Sequence, residues 1–406
     1  MTRFVPADLE ELREAVATAL AAEEAVEIVG GGSKRALGRA MQTPHVLDLS
    51  ALSGIRDYAP SELVLTAGAG TPLAAVERVL AEHGQMLAFE PPDWRTLLDA
   101  EGTEPTIGGV LACNLSGPRR IKAGAARDHF LGFRAVSGRG EIFKAGGKVV
   151  KNVTGYDLCK LMAGSYGTLA ALEEITVKVL PRAEAENTLV FAGIDSEVGV
   201  RLMTAALGSS HEVSGAAYLP EATARVLNVP LNGGVAALRI EGPPPSVAVR
   251  RDRLLREHAT GGVTEILAHR DSSAFWHAIG SASPFSGLPE RAIWRISVAP
   301  ARGAEVALSV ARTIDAAWFL DWGGGLLWLA VPEHDDAGAR LIRGAIRGQD
   351  ARGGGHATLV RGSPGLRRAV PMFEPQPPAL AALTRRVKDA FDPRHILNPG
   401  RMVEGI

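Results

Sequence analysis

Three stretches of the sequence combine glycines with hydroxyl or charged side chains, which is the composition of a turn that binds an anion. The first runs Gly30-Gly31-Gly32-Ser33-Lys34 and directly follows the predicted strand Ala25–Val29. Glycines let backbone N–H groups approach phosphate oxygens, and a serine hydroxyl adds a donor. The spacing is neither that of a Rossmann fingerprint nor that of a P-loop. The stretch predicts a diphosphate-binding turn of another kind, with a flexible surface turn as the alternative.

The second stretch, Thr106-Ile107-Gly108-Gly109, opens a predicted helix of small residues that runs through Asn114. A helix N-terminus favours a negative charge, because its first backbone N–H groups have no partner within the helix. Small residues equally allow close packing against a neighbouring element. Both interpretations stay open from this stretch alone.

The third stretch, Lys151–Leu180, places glycine turns and the pair Tyr156-Asp157 before a predicted strand at Ile175–Val179. Its turns lie at Gly155 and at Gly164–Thr168. Such turns can again bring backbone N–H groups close to an anionic ligand. A helix hairpin with tight ends is the alternative.

Several charged side chains could contact a substrate, but the sequence gives none of them a catalytic role. His356 enters a predicted strand from a glycine run and could reach a carboxylate, although a structural or exposed histidine is the more common case. Arg291, Arg295 and Arg361 could each bind a carboxylate through two hydrogen bonds. The pair Arg127-Asp128, taken alone, fits a surface ion pair.

The composition excludes several classes of protein. The 406 residues suit two domains, and a net charge of −1 without a basic stripe argues against nucleic acid as a partner. Two cysteines, Cys113 and Cys159, are too few for an iron–sulfur cluster, and the scattered histidines form no zinc motif, so no metal site is predicted. No apolar run reaches membrane-spanning length, and the first residues lack an apolar signal core. A cytoplasmic protein without a transmembrane segment is expected.

The order of the predicted elements indicates an α+β protein with two domains. Strands and helices alternate up to Pro181, with a hairpin across Ser137–Gly140. The polar stretch Arg182–Asn187 predicts a linker. From Thr188 onward, repeated strand–helix–strand units favour a ferredoxin-like second domain. A last predicted helix, Ala379–Phe391, leads into the C-terminal stretch.

Four stretches, taken in order, resemble the FAD-binding domain of the vanillyl-alcohol oxidase/para-cresol methylhydroxylase family. Val29–Ser33 and Thr106–Asp128 are similar to the two pyrophosphate loops, Asn152–Leu169 to the segment that covers the flavin, and Asp392–Arg401 to the C-terminal return to the cofactor. The resemblance implies a two-subdomain FAD-binding domain at residues 1–182 and an α+β cap domain on the substrate side at 183–365. It also implies a C-terminal segment at 366–406 that returns to the FAD domain.

The same resemblance implies FAD-binding positions in these stretches and in the turn at Glu90–Asp93. They are Val29, Gly30, Gly31, Gly32, Ser33, Lys34, Pro91, Thr106, Gly108, Gly109, Ala112, Asn114, Gly124, Arg127, Asp128, Thr154, Gly155, Tyr156, Asp157, Gly164, Ser165, Gly167, Thr168, Ile175 and Asn398. Noncovalent FAD is expected, because Gly30–Arg35 lacks the histidine to which family members with covalent flavin often attach it. Ala170 and Glu173 stand where glycine and threonine are usual.

Within the family, the likeness is to the smaller of the two FAD-domain subunits found in glycolate oxidases. Its marks here are Glu90–Trp94, Gly117–Arg120, Gly146–Val153 and Gly355–Leu359. A subunit of this group works with a larger FAD subunit and an iron–sulfur subunit in a complex that oxidises the 2-hydroxy acid glycolate to glyoxylate. The resemblance implies these partners, and any membrane association would come through the complex.

The resemblance leaves the catalytic role of this chain open. Catalytic hydroxy-acid members carry a Gly-Asp-Gly-Asn-type stretch with histidines in the second domain, and no such stretch occurs here. One hypothesis is a flavoprotein subunit that takes part in glycolate oxidation and passes electrons to the iron–sulfur partner. Another is a structural subunit that binds and stabilises the catalytic one. A stand-alone oxidase would need a catalytic base that the sequence does not identify.

Overall fold

The computed structural model describes residues 2–148, 155–227, 232–258, 264–348 and 354–405, and the chain divides into two compact units. Unit 1 comprises Met1–Leu115, Gly124–Arg182 and Pro375–Ile406. Unit 2 comprises Ser116–Ala123 and Ala183–Glu374. Residues 375–406 therefore belong to unit 1, and the short segment Ser116–Ala123 belongs to unit 2 although its neighbours in sequence belong to unit 1.

Both units contain β-strands within the described residues. They are β1 (Thr2–Phe4), β2 (Val26–Val29), β3 (His45–Asp48), β4 (Ile55–Ala59), β5 (Val64–Gly68), β6 (Gln85–Met86), β7 (Phe130–Ser137), β8 (Ile142–Gly146), β9 (Ala170–Lys178), β10 (Leu180–Pro181), β11 (Ala185–Ala192), β12 (Gly215–Leu219), β13 (Val235–Gly242), β14 (Thr264–Ala268), β15 (Arg291–Val298), β16 (Ala317–Asp321), β17 (Leu326–Pro332) and β18 (Gly355–Arg361).

Helices alternate with these strands. They are α1 (Leu9–Ala22), α2 (Leu73–Glu82), α3 (Ile107–Ala112), α4 (Arg120–Ala123), α5 (Ala126–His129), α6 (Leu158–Met162), α7 (Ser196–Leu207), α8 (Glu221–Val226), α9 (Pro244–Glu257), α10 (His269–Gly280), α11 (Gly303–Ala311), α12 (Ala339–Arg347), α13 (Pro364–Ala369) and α14 (Pro378–Phe391). Within the described ranges, none of them has both the length and the apolar character that crossing a membrane requires.

Unit 1 contains two main sheets, as a two-subdomain domain requires. β1, β3 and β2 form a parallel sheet, and β4, β5, β9, β7 and β8 form an antiparallel one in that order. The predicted hairpin is confirmed, since β7 and β8 pair antiparallel with Val136 opposite Ile142. A small pair, β6 with β10, completes the unit.

Helix α1 and the C-terminal stretch share one core in unit 1. Asp8 caps the helix by accepting a hydrogen bond from the Glu11 N–H at 2.9 Å. The buried helix face, represented by Leu12 and Val16, packs in one cluster with Ile396 and Leu397. The residues that precede Asn398 are thus fixed by hydrophobic burial.

Unit 2 confirms the ferredoxin-like prediction and contains that motif twice. One antiparallel sheet runs β14-β11-β13-β12-β16-β17-β15-β18. Each half has the order fourth, first, third, second of a βαββαβ unit, and the halves join where β12 pairs with β16 at Tyr218 and Leu320.

The predicted linker at Arg182–Asn187 is wrong over its second half, where β11 begins at Ala185. Glu186 lies opposite Glu241 of β13, and Asn187 lies opposite both Ile240 and Ala268. Glu186 belongs to a buried cluster of charged side chains, formed by Arg119, Glu186, Arg239 and Glu241. This cluster explains why a strand begins with polar residues, which in the sequence alone resemble a linker.

That cluster ties the segment Ser116–Ala123 to the sheet of unit 2. The Arg119 guanidinium donates to both carboxylate oxygens of Glu241, at 3.0 and 2.6 Å, and one of its nitrogens lies 3.9 Å from Glu186. Burial raises the pKa of Glu241, but the nearby guanidinium groups of Arg239 and Arg119 outweigh it and lower that pKa to about 2. Because the pKa in the folded state is depressed from 4.5, the pair stabilises unit 2 above pH 4.5 and loses its effect as the pH falls toward 2.

We expect Arg119→Met to lower the free energy of unfolding by about 3 kcal/mol, because it leaves the Glu241 carboxylate buried without its bidentate partner. Lys122→Met in the same segment is the matched control, since Lys122 and Glu212 form a largely exposed pair at 3.0 Å. Its effect should stay below about 1 kcal/mol. Urea unfolding at neutral pH measures both, and equal effects of the two variants would contradict a specific role of the buried pair.

Candidate functional site

A cleft that is partly open to solvent lies within unit 1. It is lined by the loop after β2, helix α3, the turn after α6, one face of β9 and the C-terminal stretch. Its lining residues are Ile28, Val29, Gly30, Gly31, Gly32, Ser33, Lys34, Arg35, Leu49, Ala69, Thr106, Gly108, Gly109, Ala112, Cys113, Met162, Ser165, Tyr166, Gly167, Ala170, Leu172, Asn398 and Arg401. Stretches far apart in the sequence therefore meet at one site.

The loop after β2 needs glycine because it lies against another backbone segment. A Cβ at Gly31 would lie 1.8 Å from the carbonyl oxygen of Glu104, and a Cβ at Gly30 would lie 2.5 Å from Thr106 Oγ1. Gly32 has a φ of +85°, in the left-handed region that favours glycine. Packing alone therefore requires glycine at Gly30 and Gly31, and the backbone conformation favours it at Gly32.

Helix α3 supplies the second glycine pair of the cleft. Thr106 caps it by accepting a hydrogen bond from the Gly109 N–H at 3.2 Å. A Cβ at Gly108 would lie 2.6 Å from the Ala69 carbonyl oxygen, whereas one at Gly109 would lie 3.8 Å from Lys34 Nζ. Gly108 therefore serves close packing, and Gly109 faces the lysine across the cleft.

Lys34 brings a positive charge into the cleft with little to balance it. Its ammonium donates to Ser33 Oγ at 3.1 Å, and no carboxylate of the described residues forms an ion pair with it. Burial lowers the pKa of Lys34, and nearby Asp93 offsets this only in part. A buried cation with one hydroxyl partner is costly in free energy, and an anion bound beside it would offset that cost.

The C-terminal stretch closes the cleft through two polar side chains. Asn398 accepts a hydrogen bond from the Ile28 N–H at 2.8 Å and donates to the Tyr166 carbonyl at 2.7 Å. The Arg401 guanidinium donates to the Lys34 carbonyl at 2.7 Å and lies 3.6 Å from Glu27. Asn398 thus links β2 to the turn at Tyr166, and Arg401 links the loop after β2 to the C-terminal stretch.

Several predicted FAD-binding residues lie away from the cleft lining. Asn114 Oδ1 accepts from the Arg127 N–H at 3.0 Å, and Asp128 accepts from Lys160 at 3.1 Å, so this group stabilises the turns around α5. The others are Pro91 in the coil after β6, Gly124 (φ +90°) beside Asp128, Gly155 and the 91% exposed Tyr156, Asp157 capping α6, Gly164 and Thr168 flanking the turn, and the buried Ile175 in β9. Thr154 lies outside the described residues.

Other lining residues are not among the FAD-binding positions that the resemblance implies. Ala170 and Leu172 alternate on the face of β9 that borders the cleft, and a period of two along this strand could have indicated them. Glu173 lies on the other face, where it forms an ion pair with Arg134 at 3.2 Å, so its departure from the usual threonine does not touch the cleft. Arg401 belongs to the C-terminal motif itself and could have been inferred from it. Leu49 and Ala69 carry no local signal.

The described lining of the cleft lacks the side chains that most often act as a general base. Among the described residues that line it, there is no histidine and no carboxylate. Burial raises the pKa of the Cys113 thiol, which therefore stays protonated at neutral pH. The cleft can bind and orient a ligand.

In unit 2, the structure separates the arginines that the sequence left equivalent. Arg291 pairs with Asp315, and Arg361 donates to the backbone carbonyls of Leu288 and Arg291, so both stabilise the end of β15. Arg295 instead stacks with its guanidinium carbon 4.8 Å from the ring centre of Trp322, and Arg120 stacks on the same ring at 4.4 Å. His356 is exposed in β18 opposite Ser297, two residues from Arg295 on the same face of β15.

Comparisons with known proteins fit this cleft. Residues 3–146 match the FAD binding domain family, and residues 365–402 match the C-terminal domain of FAD linked oxidases. The chain is 35% identical to glycolate oxidase subunit GlcE of Escherichia coli (strain K12) over 396 residues, which cover 96% of each chain. This chain belongs to the FAD-linked oxidase family that includes this relative. FAD is its cofactor, and the protein is an FAD-dependent oxidoreductase.

A more distant relative and a solved structure are also similar to this chain. Glycolate oxidase subunit GlcD of Bacillus subtilis (strain 168) is 26% identical over 341 residues, covering 77% of this chain and 70% of that one. The solved structure of p-cresol methylhydroxylase with substrate bound covers 99% of this chain and 88% of its own, with a TM-score of 0.70 at 12% identity. At that identity the likeness concerns the fold alone, and it confirms the predicted fold class.

The residues of the cleft suit FAD chemically. A dinucleotide carries an anionic diphosphate between ring systems, and the cleft combines the Lys34 ammonium and glycine loops with an apolar wall that includes Ala69, Met162 and Leu172.

We expect Gly31→Ala to weaken FAD binding at a cost of about 1–3 kcal/mol, because the added Cβ must displace the loop from Glu104. Gly147→Ala is the control, since a Cβ there meets nothing within 4 Å. Titration of each apoprotein with FAD, followed by flavin fluorescence, measures the affinity. An unchanged affinity for Gly31→Ala would show that the loop does not form the binding site.

Proposed function

We propose that the chain is the FAD-binding subunit of a glycolate oxidase complex that oxidises glycolate to glyoxylate. The unit 1 cleft carries the proposal, because a poorly compensated lysine faces two glycine loops there. The relative GlcE, similar over almost the whole of both chains, is named as a glycolate oxidase subunit, which supports this substrate.

We assign noncovalent FAD to this cleft. Its diphosphate would be bound by the loop Gly30–Ser33 and by Gly108–Gly109, with Lys34 as the counter-charge. No histidine occurs among the described lining residues, which supports noncovalent attachment. When bound, FAD supplies the capacity to accept a hydride from the α-carbon of a hydroxy acid.

Electrons would pass to an iron–sulfur subunit, since two cysteines cannot ligate a conventional cluster. A larger FAD-domain subunit is the second proposed partner. The relative GlcD, named as a glycolate oxidase subunit, supports that assignment.

A second candidate function is a subunit that binds FAD but leaves the oxidation to its partner. The absence of a histidine or carboxylate from the described lining of the cleft favours this possibility. Deprotonation of the substrate hydroxyl would then fall to the larger subunit.

Lys34→Met tests the charge in the cleft. We expect it to weaken FAD binding about 10- to 100-fold, because the diphosphate loses a charge-assisted partner. Since burial lowers the Lys34 pKa in the free protein and an anion would raise it, wild-type affinity should fall as the pH rises through the lowered pKa. The variant should lack this dependence.

The free chain provides the control for Lys34→Met. At neutral pH its apoprotein should be more stable than wild type, because a lysine with a lowered folded pKa opposes folding wherever the unfolded lysine is protonated. Weaker FAD binding together with a less stable apoprotein would indicate damage to the fold and contradict the assigned role.

A turnover assay distinguishes a subunit that oxidises glycolate itself from an accessory subunit, which binds FAD but leaves the oxidation to its partner. We expect the FAD-loaded chain alone to give no glycolate-dependent dye reduction, and the complex co-purified through a tag on this chain to give it. Turnover by the chain alone would refute the accessory function. Absence of glycolate turnover in the intact complex would refute glycolate as the substrate.

A further inference from the structure

Asn398 occupies a position in the cleft that the surrounding structure must impose. Its φ is +44°, and that of its partner Tyr166 is +55°, a conformation that residues other than glycine rarely adopt. Its side chain leaves no room for a neighbouring Cβ, because one at Gly167 would lie 2.7 Å from Asn398 Nδ2. Such conformations persist only where many contacts fix them.

Lys388, near the end of α14, holds the backbone next to Asn398 and the turn that contains Tyr166. This side chain is completely buried, and its ammonium donates to three oxygens: the Thr168 carbonyl at 2.7 Å, Asp392 Oδ2 at 2.6 Å and the Leu397 carbonyl at 2.9 Å. All three of its protons are therefore used. Thr168 follows the cleft turn directly, and Leu397 directly precedes Asn398.

Asp392 completes the arrangement from the other side. Its carboxylate accepts hydrogen bonds from the Ile396 N–H at 3.0 Å and the Leu397 N–H at 2.8 Å, besides the one from Lys388. These bonds shape the turn 393–397. The pair thus joins the turn that ends at Thr168 to the segment that carries Asn398.

We propose that Lys388 and Asp392 are positioning residues that set the Asn398 carboxamide in the cleft and thereby control how FAD binds. The proposal rests on the function proposed above, namely that FAD occupies this cleft. Fold stability alone does not require this arrangement, since a buried ion pair is often no more stabilising than apolar residues of similar volume. Here it fixes backbone on both sides of one cleft residue.

A double-mutant cycle on the full chain tests the proposal, with FAD affinity and the visible absorption band of bound FAD as readouts. We expect Lys388→Met and Asn398→Ala each to weaken FAD binding about tenfold. Because both substitutions act through the same carboxamide, the double variant should bind FAD no more weakly than the weaker-binding single variant. The two single variants and the double variant should shift the absorption band of bound FAD by the same amount.

Asp389→Asn is the matched control. Asp389 forms an exposed pair with His395 at 2.7 Å in the same segment, and its loss should leave FAD affinity unchanged. If Lys388→Met does not fold, Asp392→Asn takes its place in the cycle, because its single carboxamide oxygen can still accept from one of the two turn N–H groups.

Wild-type affinity in Lys388→Met or in Asn398→Ala, or a double variant about 100-fold weaker as independent effects predict, would overturn the proposal. If instead FAD does not occupy this cleft, Lys34→Met also leaves FAD affinity unchanged, and this result distinguishes the failure of the proposed function from the failure of the positioning role. If Lys34→Met and Asn398→Ala weaken binding and Lys388→Met does not, only the positioning role falls.

Discussion

The candidate site depends on a close approach of two backbone segments that only glycine allows. The loop after β2 lies so near to Glu104 and Thr106 that a Cβ at Gly30 or Gly31 would overlap atoms already in place. The approach also brings Lys34 opposite Gly109, and it sets the shape of the loop before a ligand binds. Preorganisation of this kind lowers the entropic cost of binding, which suits a cofactor that must be retained.

Two lysines of unit 1 show how differently the fold treats a buried charge. Burial lowers the pKa of both Lys34 and Lys388. Lys388 has three oxygen partners, one of them the carboxylate of Asp392, so its charge is balanced within the protein. Lys34 has one hydroxyl partner among the described residues and faces the cleft. Glycine turns alone would also fit a tight turn between helices. The charge of Lys34, which has no carboxylate partner among the described residues, is what favours an anion-binding cleft.

Local sequence signals were sufficient for much of this molecule. The glycine loops, the Asp8 cap, the β7–β8 hairpin and the ferredoxin-like units all follow from residue types at short spacing. The joining of two such units through Tyr218 and Leu320 does not, because long-range strand pairing leaves no local pattern. Glu186 resembled a linker residue because its partner Arg119 lies far away in the sequence. For the same reason, the sequence grouped Asn114 and Asp128 with the cleft, whereas their contacts stabilise turns beside it.

The central claim is that the cleft of unit 1 binds FAD without a covalent bond. Its most direct test is the flavin content of the purified chain, measured by visible absorption before denaturation and by chromatography of the released flavin afterwards. The account predicts a yellow protein that releases intact FAD in an amount equal to the protein. A colourless chain whose absorption and stability do not change when FAD is added would contradict it.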